Sequence, residues 1–187
     1  LKPKGSTYQA TFEEFASAKP FPITDLLINP ADGAMYIAFG GRRVQSGLYR
    51  VTYVGDESTA PAKPVRKGET ERKTRRSLEA YLQEGAKVAS SSEIDFIWKS
   101  LGSNDRGIRH AARAALEKQP VKNWKDRLAA EANPVTSTAA MIALARVDAK
   151  GSASAILAKA ISLDYSKTKS RQTRLDLLRS VTLSLTR

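Results

Sequence analysis

The chain has no cysteine and a single histidine, His110, in 187 residues. The first absence excludes disulfides, thiolate metal sites, a Cys nucleophile and covalent attachment of a c-type haem within these residues. The second excludes a metal centre built from clustered histidines. Long apolar runs are missing as well. No stretch reaches the roughly 18 consecutive apolar residues that a membrane-spanning helix needs. The chain starts at Leu1 and shows no basic segment followed by an apolar one, the pattern of a signal peptide. The expectation is an internal piece of a longer protein, or one from which a leader was removed.

What is present fits an ordinary globular protein with room for one or two small domains: 41% hydrophobic and 27% charged residues. The net charge of +12 is unevenly spread. Up to Arg66 there are 8 basic and 6 acidic residues; from Lys67 onward there are 23 and 13. That surplus suits phosphate, anionic lipid or an acidic protein, and charge alone does not choose among them.

Residues 1–55 carry β signals. "TYQATFEEF" places Tyr8, Ala10 and Phe12 at the two-residue period of a half-buried strand. "ITDLLIN" follows Pro20 and Pro22 as a second strand. Asp32-Gly33 supplies a tight turn, and "AMYIAF" and "GLYRVTYV" follow as two more strands. Between them "GGRRVQS", Gly40 to Ser46, reads as a polar loop. Four short strands make an antiparallel meander the size of one propeller blade. Alone it has two faces and little to cover them, so missing neighbours are expected.

Residues 56–69, with Pro61 and Pro64, read as a linker. From 70 to 187 the period is helical. "ERKTRRSLEAYLQ" aligns Leu78, Tyr81 and Leu82, and Ser90 and Glu93 have capping-box spacing ahead of Ile94, Ile97, Trp98 and Leu101. "NDRGIRHAARAALEKQ" gathers Ile108, Ala111, Ala112, Ala115 and Leu116 on one face. "VKNWKDRLAAE" reads as a short helix with Val121, Trp124 and Leu128 aligned. Asn133-Pro134 opens a helix whose inward set is Ala140, Ala143, Leu144 and Val147. Two further helices carry Ile156, Leu157, Ala160 and Ile161, then Leu175, Leu178, Val181 and Leu185. A shift of 28 positions lays Ala111, Ala112 and Leu116 on Ala139, Ala140 and Leu144. The pattern suggests stacked helix pairs, a HEAT-like α-solenoid. The expected fold is therefore mainly α, with an N-terminal antiparallel β-meander.

Two segments carry a family resemblance. "FPITDLLINPADGAMYIAFGGRRVQSGLYRVTYVG" resembles the last propeller blade of membrane-bound dehydrogenases with haem-binding domains, large exported proteins of planctomycetes and verrucomicrobia. "LGSNDRGIRHAARAALEKQPVKNWKDRLAAEANPVTSTAAMIALARV" resembles the HEAT-like region that follows it there. The resemblance rests on Asp32-Gly33, Gly40-Gly41-Arg42 and the run Gln45 to Val51. It implies a parent with a sugar-dehydrogenase-like propeller, this solenoid, and a C-terminal cytochrome-type domain bearing CxxCH, in a periplasmic or otherwise exported location. The chain holds neither the other blades nor a CxxCH, so no cofactor is assigned to any residue. The implied partners are the remaining blades, the cytochrome-type domain and a protein on the solenoid surface.

Few residues suggest chemistry. Arg42, Arg43 and Gln45 are candidates for an anionic or sugar ligand at a propeller mouth; the plainer reading is a strand connection with solvated arginines. Arg66, Lys67, Arg72, Lys73, Arg75 and Arg76 form a basic run for nucleic acid or lipid. Interspersed Glu69, Glu71 and Glu79, with Glu71 and Arg75 at i, i+4, favour a solvated helix face. His110 could act as a general base, but it lies beside an Ala-rich packing face without an accompanying nucleophile and reads as structural or partly exposed. Trp98 and Trp124 fall on apolar stripes and read as core. The leading expectation is a non-catalytic structural or interaction module. A basic helical-repeat nucleic-acid binder and part of a dehydrogenase-like active site are the alternatives.

Overall fold

The computed structural model describes residues 1–60, 63, 65–163, 165, 166, 168 and 170–186. It is mainly helical with small antiparallel sheets, and it divides into two units. Ala10–Pro64 form one; Leu1–Gln9 and Val65–Arg187 form the other. The first nine residues therefore belong with the helices, where a meander over 1–55 was expected. Pro61 and Pro64 of the expected linker lie outside the described residues.

The helical unit opens with a hairpin of β1 (Lys2–Lys4) and β2 (Thr7–Gln9), paired antiparallel. Gly5 turns it with φ at 57°. The strand expected across Tyr8, Ala10 and Phe12 stops at Gln9, and Phe12 and Phe15 are exposed. Alternation in the sequence was a false strand signal here, because β2 finds its partner in Lys2–Lys4 and nothing pairs beyond.

The other unit holds β3 (Ile23–Ile28), β4 (Met35–Gly41) and β5 (Val44–Val51), in that order across one antiparallel sheet. Three strands stand where four were expected. Gly33, with φ at 67°, makes the turn before β4 and donates its N–H to the Asn29 carbonyl. Asp32 anchors this corner: its carboxylate accepts from the Ala34 N–H, the Tyr36 hydroxyl and Arg50 Nε and Nη2. The Ala34 bond, with those from Tyr36 and Arg50, holds the Asp32 carboxyl below its usual range against the effect of burial. On one face Phe39 stacks on Tyr49 at 4.8 Å, with Phe21 tilted against both. The Phe39 ring covers the cross-strand Gly47, where a side chain would collide with it. Among the described residues of this unit only Ala34 and Ile37 are buried hydrophobics, while Ile23, Leu26, Leu27, Ile28, Leu48 and Tyr49 are more than half exposed.

Seven α-helices are described in the helical unit: α1 (Glu69–Glu79), α2 (Ser91–Ser100), α3 (Arg106–Glu117), α4 (Arg127–Ala130), α5 (Pro134–Val147), α6 (Ala149–Ser162) and α7 (Arg171–Thr186). Their starts obey local chemistry. The Ser90 hydroxyl caps α2 and Glu93 bonds back to the Ser90 N–H, completing the capping box. Asp105 caps α3 through the Ile108 N–H, and Asn133 caps α5 ahead of Pro134. The segment 121–131 is looser than the single helix expected, with a 3-10 turn at Val121–Asn123 before the single turn of α4. Trp124 and Leu128 are buried nonetheless.

The helices pack in a regular way. α1 lies on α3, α3 on α5 and α5 on α7; α2 packs on α3, and α6 on both α5 and α7. One apolar cluster runs through them, from Leu78 through Ile97, Leu116 and Leu144 to Ile156 and Leu177. The alanines at 111, 112, 140 and 143 sit in this core and let helix axes approach closely. α5 is central, with α3, α4, α6 and α7 against it. Its buried hydroxyls are satisfied locally: Thr138 donates to the Pro134 carbonyl and Ser137 to the Glu131 carbonyl.

Some expected inward positions face out. Val147 is 39% exposed and Ile161 is 85% exposed. In α7 the buried stripe is Thr173, Leu177, Ser180 and Ser184, while Leu175, Leu178 and Leu185 are exposed. That helix carries apolar residues on two faces, and packing on α5 and α6 selects the one with small hydroxyl residues beside Leu177. Trp98 is only half buried and donates its Nε1–H to Glu131 at 2.7 Å.

Candidate functional site

The residues singled out from the sequence do not converge. Arg42 and Arg43 are a two-residue connection between β4 and β5, because Gly41 already pairs with Val44. The seven-residue loop expected at 40–46 is thus mostly strand. Arg43 takes φ of 63°, an uncommon conformation for a residue with a side chain. Arg42, Arg43 and Gln45 are all exposed.

The basic run divides in two. Arg72 and Arg75 have structural partners. Arg72 donates to the carbonyls of Lys67 and Val65, and its guanidinium lies 5.2 Å from the centre of the Tyr8 ring. Arg75 donates to Glu79 at 2.8 Å and to the Ser6 carbonyl at 3.1 Å. Its i, i+4 partner is therefore Glu79, where Glu71 was expected; Glu71 is exposed. Lys73 pairs with Glu69, while Arg66, Lys67 and Arg76 are exposed.

The arrangement with most chemical character lies elsewhere, in a groove of about 290 Å³ across α3, α5 and α7. One wall is α3, with Arg106, Arg109, His110 and Arg113. The floor is α5, with Val135, Ala139 and Ile142 at i, i+4, i+7. The other wall is α7, with Gln172, Asp176 and Arg179. The three stripes share one helical spacing, so neighbouring helices present them side by side. Arg109 is braced by a bond to the Ser103 carbonyl at 2.6 Å. Arg113 pairs with Glu117 and lies 3.3 Å from His110 Nδ1. Asp176 accepts from Gln172 at 2.9 Å. Arg106 and Arg179 are exposed, and their side chains make no hydrogen bond or ion pair among the described residues. Guanidinium groups bind carboxylate or phosphate in a forked geometry.

His110, expected beside the packing face, is an exposed member of this wall. In "RGIRHAAR" the apolar stripe is the stronger signal, and Arg106, Arg109 and Arg113 repeat at i, i+3 and i+7 on the opposite stripe. That half of the groove was visible in the sequence; its pairing with α7 was not.

Among the described residues no group of three His, Asp or Glu is placed to hold a metal ion, and no helix is long and apolar enough to cross a membrane. No family model, curated protein or solved structure matches the chain.

Proposed function

We propose that this chain is a non-catalytic scaffold and interaction module whose helical unit is a HEAT-like solenoid offering a surface to a protein partner. The observation that carries the reading is the packing order. α1, α3, α5 and α7 lie each on the next, with α2 and α6 set against that row, the connectivity of stacked helix pairs. The equivalence of Ala111, Ala112 and Leu116 with Ala139, Ala140 and Leu144 supports it, since α3 and α5 pack together. So do the exposed Leu175, Leu178 and Leu185, a face of the kind a further repeat covers.

In the same reading the three-stranded sheet is part of one blade of a larger propeller. Its exposed leucines and isoleucines support the need for neighbouring strands and blades. The resemblance to exported, haem-binding dehydrogenases makes those blades and a cytochrome-type domain the partners within an exported parent, with redox chemistry carried by the other domains.

Panning a random peptide library against the folded chain tests the scaffold reading. The expected result is enrichment of peptides that compete with one another for the helical unit. Failure to enrich any peptide overturns it.

A further inference from the structure

We infer that the groove across α3, α5 and α7 seats an acidic amphipathic helix of a partner protein, with its carboxylates on the arginine walls and its apolar face on α5. This rests on the scaffold reading above and names the partner's chemistry.

The groove combines two features that select such an occupant. Its floor on α5 repeats at i, i+4 and i+7, with Val135 and Ala139 half-buried at its surface and Ile142 buried at its end. A helix laid parallel to α5 offers the same period in its own apolar residues, the helix-in-groove mode of recognition. Its flanking positions then fall over α3 on one side and α7 on the other. Arg106, Arg109 and Arg113 cover most of one flank and Arg179 one end of the other. Carboxylates at the flanks meet these arginines, and uncharged or basic flanks do not.

The same features argue against a nucleic-acid backbone. The groove holds no Phe, Tyr or Trp, so the broad stacking platforms of a single-strand binder are missing. The floor is apolar where phosphates and sugars need polar partners, and Asp176 sits in the α7 wall. Asp176 also orients a bound helix, because an acidic residue placed opposite it is repelled whereas one opposite Arg179 is attracted.

The arginines are unevenly committed, which makes the proposal testable. Arg109 and Arg113 have partners within the fold, while Arg106 and Arg179 are exposed and unpaired among the described residues. Charge reversal at the latter two removes attraction without breaking a contact that the fold uses.

The probe is a fluorescein-labelled peptide of about four helical turns, with Leu at i, i+4, i+7 and Glu on both flanks. Its binding to the full chain is followed by anisotropy. Three comparisons accompany it: the same peptide with every Glu replaced by Gln, the R106E/R179E double variant, and labelled oligothymidylate. Circular dichroism of the variant checks its fold. The expected result is saturable binding of the acidic peptide that weakens about tenfold or more with the Gln peptide and with the double variant, and weakens with added salt. Equal binding of the acidic and Gln peptides, unaffected by charge reversal, overturns the inference and leaves the scaffold reading standing. Oligothymidylate binding that depends on the same arginines, with none by either peptide, overturns both. Absence of binding by every probe overturns the inference, and the library result then decides the scaffold reading separately.

Discussion

Ser6 and Asp105 are joined twice although they lie 99 positions apart: the Ser6 N–H donates to one carboxylate oxygen at 2.7 Å and its hydroxyl to the other at 2.5 Å. The same carboxylate caps α3 through the Ile108 N–H. One side chain therefore starts a helix and fastens the N-terminal hairpin to it. Asp105→Ala is expected to cost about 2 kcal/mol, from the lost cap and two charge-assisted bonds. Asp105→Asn, which keeps the cap, loses about half as much. Urea unfolding followed by far-ultraviolet circular dichroism measures both, and an unchanged midpoint for the Ala variant refutes the account.

Acid destabilises the helical unit through two carboxylates. The bond from Lys87, followed by those from Ser90 and Tyr81, brings Glu93 from 4.5 down to about 2. Burial alone would raise Asp105, but the bonds from Ser6, Ile108 and Gly107 outweigh it and hold the group below its usual range. A carboxyl depressed in the folded state contributes stability above its unfolded value and loses it as pH falls towards the folded one. Stability is therefore expected to fall between pH 4.5 and about 2. Glu93→Gln flattens that slope, and chemical unfolding across this range reads it. A slope identical to the parent chain's contradicts the assignment.

The Arg43 backbone is a place where a small change stabilises. Its φ of 63° costs a side-chain-bearing residue roughly 1–2 kcal/mol, and glycine's extra freedom in the unfolded chain returns roughly 0.5–1. Arg43→Gly is thus expected to stabilise the sheet unit by about 0.5 kcal/mol. A loss of stability on thermal unfolding would show instead that the Arg43 side chain is engaged.

Glu117 bridges two helices, pairing with Arg113 in α3 and accepting from Arg146 of α5 at 2.9 Å. Its side chain is 15% exposed and that of Arg146 is 41% exposed, so solvent screens the second pair in part. A double-mutant cycle of Glu117→Gln with Arg146→Gln is expected to give a coupling of about 0.5–1 kcal/mol. A coupling of zero means that the bridge fixes geometry without adding stability.

The two units should open separately. With only Ala34 and Ile37 buried among the described residues of their unit, β3–β5 have little apolar burial to resist opening, whereas α3 and α5 lie inside the main cluster. Hydrogen exchange is expected to label β3–β5 amides well before those of α3 and α5. Equal protection would mean that the sheet's apolar faces are covered in solution.

By itself the sequence determined what short-range chemistry controls. Ser90 with Glu93 and Asn133 with Pro134 start helices because their polar groups satisfy main-chain donors a turn away. The inward face of α3 was legible for a similar reason, since five apolar side chains on one stripe leave a single way to bury them. Tertiary structure alone decided the rest. The first nine residues joined the helices because Ser6 meets Asp105 and Tyr8 meets Arg72, contacts that no local pattern encodes. α7 buried Leu177 and exposed Leu175 because α5 and α6 chose among its apolar faces. The groove exists only because stacking brings Arg106 and Arg179, 73 positions apart, to the two sides of one apolar floor.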